Sequence, residues 1–225
     1  MSPESVKVII FDFDGTIADT LDAILKIANR LAEEFGYTPV TPEDVERLKN
    51  MTARQVIKHS EVPIFKIPFL LRRVKAELSR EIQNLQPIPE VKQALIDLVN
   101  QNNQLGIITS NSTENVVLFL KQHNLEDLFD FVYSETTLFS KSRVINRALE
   151  RKSLERESVL YVGDEVRDIE AARKNQIKTI AVSWGFNSSR ILADQNPDFL
   201  IHQPQDLVKV INDLNLPEAM VRESN

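Results

Sequence analysis

Val6-Lys7-Val8-Ile9-Ile10-Phe11-Asp12-Phe13-Asp14-Gly15-Thr16 decides the fold. Its first part is a short β-branched apolar run bounded by polar residues, which reads as a buried strand. Gly15 breaks that pattern, and Asp12 and Asp14 stand where the strand ends.

Working outward, the apolar positions Leu21, Ile24, Leu25, Ala28, Leu31, Ala32 and Phe35 recur at helical spacing. They predict a helix over 17–35 that stops at Gly36. Thr41-Pro42-Glu43-Asp44 carries a capping hydroxyl, a first-turn proline and early acids, the signature of another helix start. Further helices are expected over 52–59 and 66–82. No strand pattern appears between Ala18 and Gln86, so this stretch reads as a separate, small helical domain inserted after the first strand.

Beyond Pro87 and Pro89 the rhythm alternates. Strands are expected over 105–108, 131–133, 159–162 and 179–182, with an edge strand over 199–201. Helices are expected over 91–99, 112–123, 143–151, 165–175 and 205–214. Alternation on this scale predicts an α/β fold, a doubly wound parallel sheet with a Rossmann-like core. The expected division is a core of 1–17 and 87–216, a helical cap of 18–86, and a flexible tail of 217–225.

Ligands of such sheets sit at the carboxyl ends of the strands. There the sequence places Asp12 and Asp14, then Thr109-Ser110-Asn111, then Lys141 in a loop, then Gly163-Asp164-Glu165-Val166-Arg167-Asp168. Clustered carboxylates repel one another, and keeping them ionised at neutral pH needs a cation among them. Oxygen donors without His or Cys favour a hard ion such as Mg²⁺. A hydroxyl from Thr109 and the Lys141 ammonium suit the remaining oxygens of a phosphoryl group. Phosphoryl transfer demands mostly positioning and charge neutralisation, and a carboxylate is able to attack phosphorus.

Asp-x-Asp-Gly-Thr after a strand, a hydroxyl residue after the next, a lone lysine, and then Gly-Asp-x-x-x-Asp resemble the haloacid dehalogenase superfamily. The motifs follow that family's order, and the helical insertion matches its cap. The likeness is closest to phosphoglycolate-phosphatase-like members. It implies a phosphatase with Mg²⁺ as cofactor and a small phosphorylated metabolite as substrate. It implies Asp12 as nucleophile and metal ligand, and Asp14 as general acid and then base, with its backbone carbonyl on the metal. Thr109 and Lys141 are implied to bind the phosphoryl group. Asp164 is implied as a further metal ligand, and Asp168 as support for the metal, through water or by holding Lys141. Gly15, Thr16, Ser110 and Asn111 are expected to line the substrate site, and Arg54 of the cap to meet its far end. The family often has Lys-Pro where this chain has Lys141-Ser142, and a glycine near Asn50-Met51.

Some readings stay open at this point. Either Thr109 or Ser110 supplies the phosphate hydroxyl, with Thr109 favoured by its place in the strand. Trp184-Gly185-Phe186 lines the pocket or belongs to the core. Glu165 and Arg167 read as surface partners, and Arg47 and Lys49 as solvated unless they approach the substrate. His59, His123 and His202 lie in unrelated contexts, so no catalytic histidine is expected.

Rival functions fare unevenly. A dehalogenase has no use for a second acid, because halide leaves without a proton. A phosphomutase shares both aspartates and differs in where the phosphate goes. A phospho-accepting signalling module clusters similar residues but has no helical insertion after its first strand.

Composition narrows partners and location. Net charge is -6, which weighs against a nucleic-acid partner. The chain has no cysteine, which excludes disulfides, thiolate metal sites and a cysteine nucleophile. Val8 to Phe11 is too short to span a membrane, and no cationic region precedes it. The expectation is a soluble cytoplasmic protein, a monomer or weak dimer, with no membrane partner.

Overall fold

The computed structural model describes residues 7–134 and 140–215. Val6 of the opening strand and the tail 217–225 lie outside the described residues. In chain order the elements are β1 (Val8–Phe11), α1 (Leu21–Phe35), α2 (Pro42–Lys49), α3 (Ala53–His59), α4 (Ile67–Glu81) and α5 (Val91–Asn100). There follow β2 (Gln104–Thr109), α6 (Thr113–Gln122), β3 (Phe131–Ser134), α7 (Lys141–Lys152), β4 (Val159–Gly163) and α8 (Val166–Lys174). The chain ends with β5 (Lys178–Val182), α9 (Ser189–Ala193), β6 (Phe199–Ile201) and α10 (Gln205–Asn215).

Among the described residues six strands form one sheet in the order β3-β2-β1-β4-β5-β6, with each of these pairings parallel. Successive strand residues face opposite sides, so the sheet needs a cover on each. Ile9, Phe11, Leu105, Ile107, Leu160 and Val162 enter one apolar cluster with residues of α5, α6 and α10. Val8, Ile10, Ile108 and Tyr161 enter the other, with α7 and α8. The chain winds outward from β1 in both directions. That puts the switch in strand order, and the crevice that goes with it, at the carboxyl end of β1.

The helical periodicity predicts an α1 that starts at residue 17, but it starts at Leu21. Residues 13–18 are used instead for a tight turn, in which Gly15 N–H donates to Ala18 at 2.9 Å and Ile17 N–H to Phe13 at 3.0 Å. Ala18 bridges both Asp14 and Pro87. The chain therefore leaves the sheet and returns to it along adjacent tracks, with Asp19 N–H donating to Gln86 and Ile88 N–H to Ile17, each at 2.9 Å. Gly36 ends α1 in the left-handed conformation, φ 76°, which costs glycine little. Thr41 caps α2 in a reciprocal box with Asp44. The inner face of the insertion, Ile27, Leu31, Phe35, Leu78, Ile82 and Leu85, is continuous with the first apolar cluster of the sheet. Helix α9 has no counterpart in the sequence expectations; it is a short turn capped by Ser188. Among the described residues no helix is long and apolar enough to cross a membrane.

Candidate active site

β1 delivers Asp12 to the rim and β4 fixes it there: Asp12 N–H donates to Val162 O at 2.8 Å. The Asp12 side chain is 1% exposed. One carboxylate oxygen accepts from Phe13 N–H at 2.8 Å and the other from Lys141 Nζ at 2.6 Å. Lys141 also donates to Asp168 Oδ1. It does not lie in a loop, as the sequence suggests, but is the first residue of α7 and only 4% exposed. Ser142 thus follows as an ordinary helical residue. Burial pulls the Lys141 pKa down, but Asp12 and Asp168 more than reverse this and raise it. It stays an ammonium. Asp168 holds Lys141 directly, one of the two supports expected for it.

Asp164 follows β4 and is fully buried. Thr16 Oγ1 donates to its Oδ1 at 2.7 Å and Phe186 N–H to its Oδ2 at 2.7 Å. The loop after β5 therefore belongs to the site. Trp184 Nε1 donates to Thr16 O at 3.2 Å. A Cβ on Gly15 would meet Asp164 Oδ2 at 2.4 Å and the Phe186 ring at 2.5 Å. Gly15 also sits at φ 75°, so closeness and backbone conformation both require glycine.

Asp14 is turned away from this group. Asn111 Nδ2 donates to its two oxygens at 3.1 and 3.2 Å. The buried Thr20 hydroxyl approaches closely enough to lower the Asp14 pKa, yet among the described residues it makes no normal hydrogen bond. Burial, then repulsion from Asp12, nevertheless lifts the Asp14 pKa to about 7. Thr109 ends β2, fully buried, and its Oγ1 accepts from Asn111 N–H at 2.9 Å, which leaves its own hydrogen free to donate. Ser110 is half-buried beside it. Ser112, not Thr109, caps α6.

Asp12, Asp164 and Asp168 each bring a carboxylate oxygen within 4.8 Å of the other two. Burial is the main cause that raises the Asp164 pKa well above its usual value, followed by Glu165 and Asp12. Burial likewise takes Asp168 to about 6 against the pull of Lys141. A buried all-oxygen set in which Asp164 and Asp168 hold their protons above the usual carboxylate range fits a hard divalent cation, whose charge would release them.

A match to the family model for haloacid dehalogenase-like hydrolases spans residues 9–182, from inside β1 to the end of β5. The chain belongs to that family. A phosphoglycolate phosphatase of Synechococcus elongatus is 36% identical over 209 residues, covering 93% of this chain and 99% of that one. A pyrophosphatase, PpaX, of Oceanobacillus iheyensis is 24% identical over 93% of this chain and 98% of its own. Among solved structures, a haloacid dehalogenase-like hydrolase from Streptococcus pneumoniae matches with a TM-score of 0.76 at 22% identity, over 91% of this chain and 98% of that one.

Other sequence expectations divide. Glu165 and Arg167 are not surface partners: their side chains are 14% and 13% exposed and are paired with each other. The reason is that α8 starts at the rim, so its first turn packs among the acids and not in solvent. Arg47 is bound to Asp44 at 2.6 Å on the outside of α2, and Arg54 is exposed on α3. His123 packs on Phe119 with ring centres 4.5 Å apart, and His202 meets the Ser183 hydroxyl.

Sequence reasoning missed Asn187. Its Nδ2 donates to Lys49 O at 3.2 Å and Met51 O at 3.0 Å, and its Oδ1 accepts from Val166 N–H at 2.9 Å. Ser188 adds bonds to Lys49 O and Asn50 Oδ1, at 2.9 and 2.7 Å. Together they fasten the α2–α3 turn to the rim. Asn187 lies just past β5, and its position after that strand was the available signal.

Proposed function

We propose that this hydrolase is a Mg²⁺-dependent phosphatase that acts on a small phosphate monoester through an aspartyl-phosphate on Asp12. The chain is a phosphoric monoester hydrolase, and the resemblance to a phosphoglycolate phosphatase over nearly its whole length supports a small phosphorylated acid as substrate. The observation that carries the mechanism is the contrast between two buried carboxylates at the end of one strand. Asp12 accepts from the Lys141 ammonium at 2.6 Å, while Asp14, which among the described residues accepts from the neutral amide of Asn111, has its pKa lifted to about 7 by burial and by Asp12.

An Asp12 oxygen attacks phosphorus and the bond from phosphorus to the ester oxygen breaks. Asp14 gives its proton to that oxygen, which leaves as an alcohol. Asp14, now a carboxylate, takes a proton from water as the water attacks the aspartyl-phosphate. This frees inorganic phosphate and regenerates Asp12. Lys141 and the Thr109 hydroxyl hold the phosphoryl oxygens, with Ser110 beside them. Asn111 aims Asp14. Asp12, Asp164, Asp168 and the Asp14 carbonyl would hold Mg²⁺, which supplies charge neutralisation for the transferring group. The insertion, tied to the rim through Asn187, keeps bulk water from the aspartyl-phosphate.

The test is a panel of phosphate monoesters with Mg²⁺, including phosphoglycolate, sugar phosphates and an aryl phosphate. Hydrolysis is expected to stop in excess EDTA and return with Mg²⁺, and to release inorganic phosphate without sugar isomerisation. Full turnover in chelator would overturn the metal assignment.

A further inference from the structure

The chemistry above leaves Arg167 unused. It is the second residue of α8, set between Asp164 and Asp168. Its side chain is 13% exposed, and Glu165 grips one edge: Nε donates to Glu165 Oε1 at 2.9 Å, and Nη2 meets the same oxygen. That grip fixes the plane of the guanidinium. The remaining nitrogen, Nη1, is buried and has no hydrogen-bond partner among the described residues.

A charged N–H group shut away from water without an acceptor is costly, and most such groups in folded proteins have one. Arg167 therefore stands prepared for an acceptor that arrives with a ligand. Glu165, which holds it, donates its own N–H to Asp168 Oδ2 at 3.0 Å, so the guanidinium stands at the rim beside the acids. The transferring phosphoryl group already has Lys141 and Thr109. Asp14 marks the leaving-group side, because its proton goes to the ester oxygen, and Arg167 is among the cations that act on Asp14.

We propose that Arg167 is a specificity-determining residue whose free Nη1 binds an oxyanion carried by the leaving group. This rests on the phosphatase reading and sharpens it. The oxyanion is a carboxylate or a second phosphate, since a guanidinium donates to either. A substrate with a neutral leaving group fills the catalytic positions but leaves Nη1 unpaired, and sites built for a hydrogen-bonding group discriminate strongly against analogues that lack it.

The test uses the Mg²⁺-loaded full chain and three substrates: phosphoglycolate, pyrophosphate and ethyl phosphate. Wild type is expected to favour phosphoglycolate, pyrophosphate or both over ethyl phosphate by about 50-fold or more in kcat/KM. Preference for only one identifies carboxylate or phosphate as the anion read. Arg167→Met should erase that preference: whatever it costs on ethyl phosphate through the stranded Glu165, the anionic substrate should lose about 10-fold or more beyond that. Arg167→Lys keeps the charge and the stem. Should the Met variant fail to fold, Lys is expected to lose about 5-fold or more on the anionic substrate alone. Equal losses on all substrates, or a wild type with no preference, would overturn the role of Arg167 and leave the phosphatase reading standing. A wild type inert towards all three and towards the wider panel sinks both.

Discussion

Charged groups at the sheet rim and charged groups on the helical insertion are satisfied in different ways. At the rim, Asp12, Asp164, Asp168 and Lys141 are all buried and bonded to one another or to backbone N–H groups. On the insertion, Arg30 reaches Glu81 at 3.3 Å with side chains 54% and 36% exposed, and Arg73 reaches Glu34 at 4.0 Å in similar exposure. Water and salt screen the second kind, and such pairs contribute little each. The first kind is unscreened, so removing one member strands the charge of another. The rim therefore concentrates buried charges that depend on one another, while the insertion carries exposed pairs that depend little on one another.

The largest expected effect is at Asp12. Asp12→Asn keeps the shape of the side chain and the bond to Phe13 N–H but replaces a nucleophile with an amide. Turnover should fall by about 10⁴-fold or more, the scale seen when a covalent nucleophile is removed. The folded state, followed by thermal melting, should survive. Near-normal steady-state rates would remove the aspartyl-phosphate, and with it the sharp contrast between rim and insertion.

Next in size is the pH dependence of stability without metal. Asp14 at about 7 and Asp168 at about 6 both lie above the usual carboxylate value, so the folded state holds protons that the unfolded chain has released. Stability from these groups is present below pH 4 and is lost as pH rises through 6 and 7. The metal-free melting temperature is expected to drop on the order of 5 °C between pH 5 and 7.5. Mg²⁺ should restore more at pH 7.5 than at pH 5, since ligation needs the deprotonated acids. A metal-free melting temperature that rises over this range would show that the rim acids are ionised without a cation.

The latch between the two regions comes third. Asn187→Ala removes three side-chain hydrogen bonds that hold the α2–α3 turn and the start of α8. The nucleophile and its lysine are untouched. A loss of about 10-fold in kcat/KM is expected, from poorer placement and from water admitted to the site. An unchanged kcat/KM would mean that the insertion does its work without being tied to the rim.

These same contrasts explain what the sequence made legible. The strand ends were readable because a parallel sheet buried on both faces has a strong apolar signal, and Asp12, Thr109 and Asp164 follow directly from it. Lys141 was readable as a chemical type but not as a helix start, since the first apolar positions of α7, Val144 and Ile145, come a turn after it. Arg167 was misread because spacing along α8 gives a face, not the direction of a long side chain, and helix starts at a rim bury their first turn. The partners of Asn187 lie 136 and 138 residues away in sequence, on a turn that has no periodicity, so nothing local pointed to them. The specificity of the insertion is harder to read for the same reason: its exposed cations Arg47 and Arg54 carry no pattern that separates recognition from solvation.

The smallest expected effect tests the other arm of the comparison. Glu77 on α4 is the hub of the insertion's ion pairs, with Arg80 at 2.9 Å, Arg73 at 3.5 Å and Arg30 at 3.7 Å. Its side chain is 16% exposed, while its three arginines are about half-exposed or more. Glu77→Gln removes the charge and keeps the volume. Three partners make the hub worth more than an isolated surface pair, but each arginine is free to turn to water or to Glu34 and Glu81, so the loss stays near 1 kcal/mol. That corresponds to a fall of about 2–4 °C in melting temperature for a chain of this size, and it should shrink as salt is added. Catalysis should not change, because none of these residues contacts the rim acids, Lys141 or Asn187. A fall in kcat/KM larger than about 3-fold would show that α4 feels the chemistry, and the division between a charged chemical rim and a charged structural insertion would not hold.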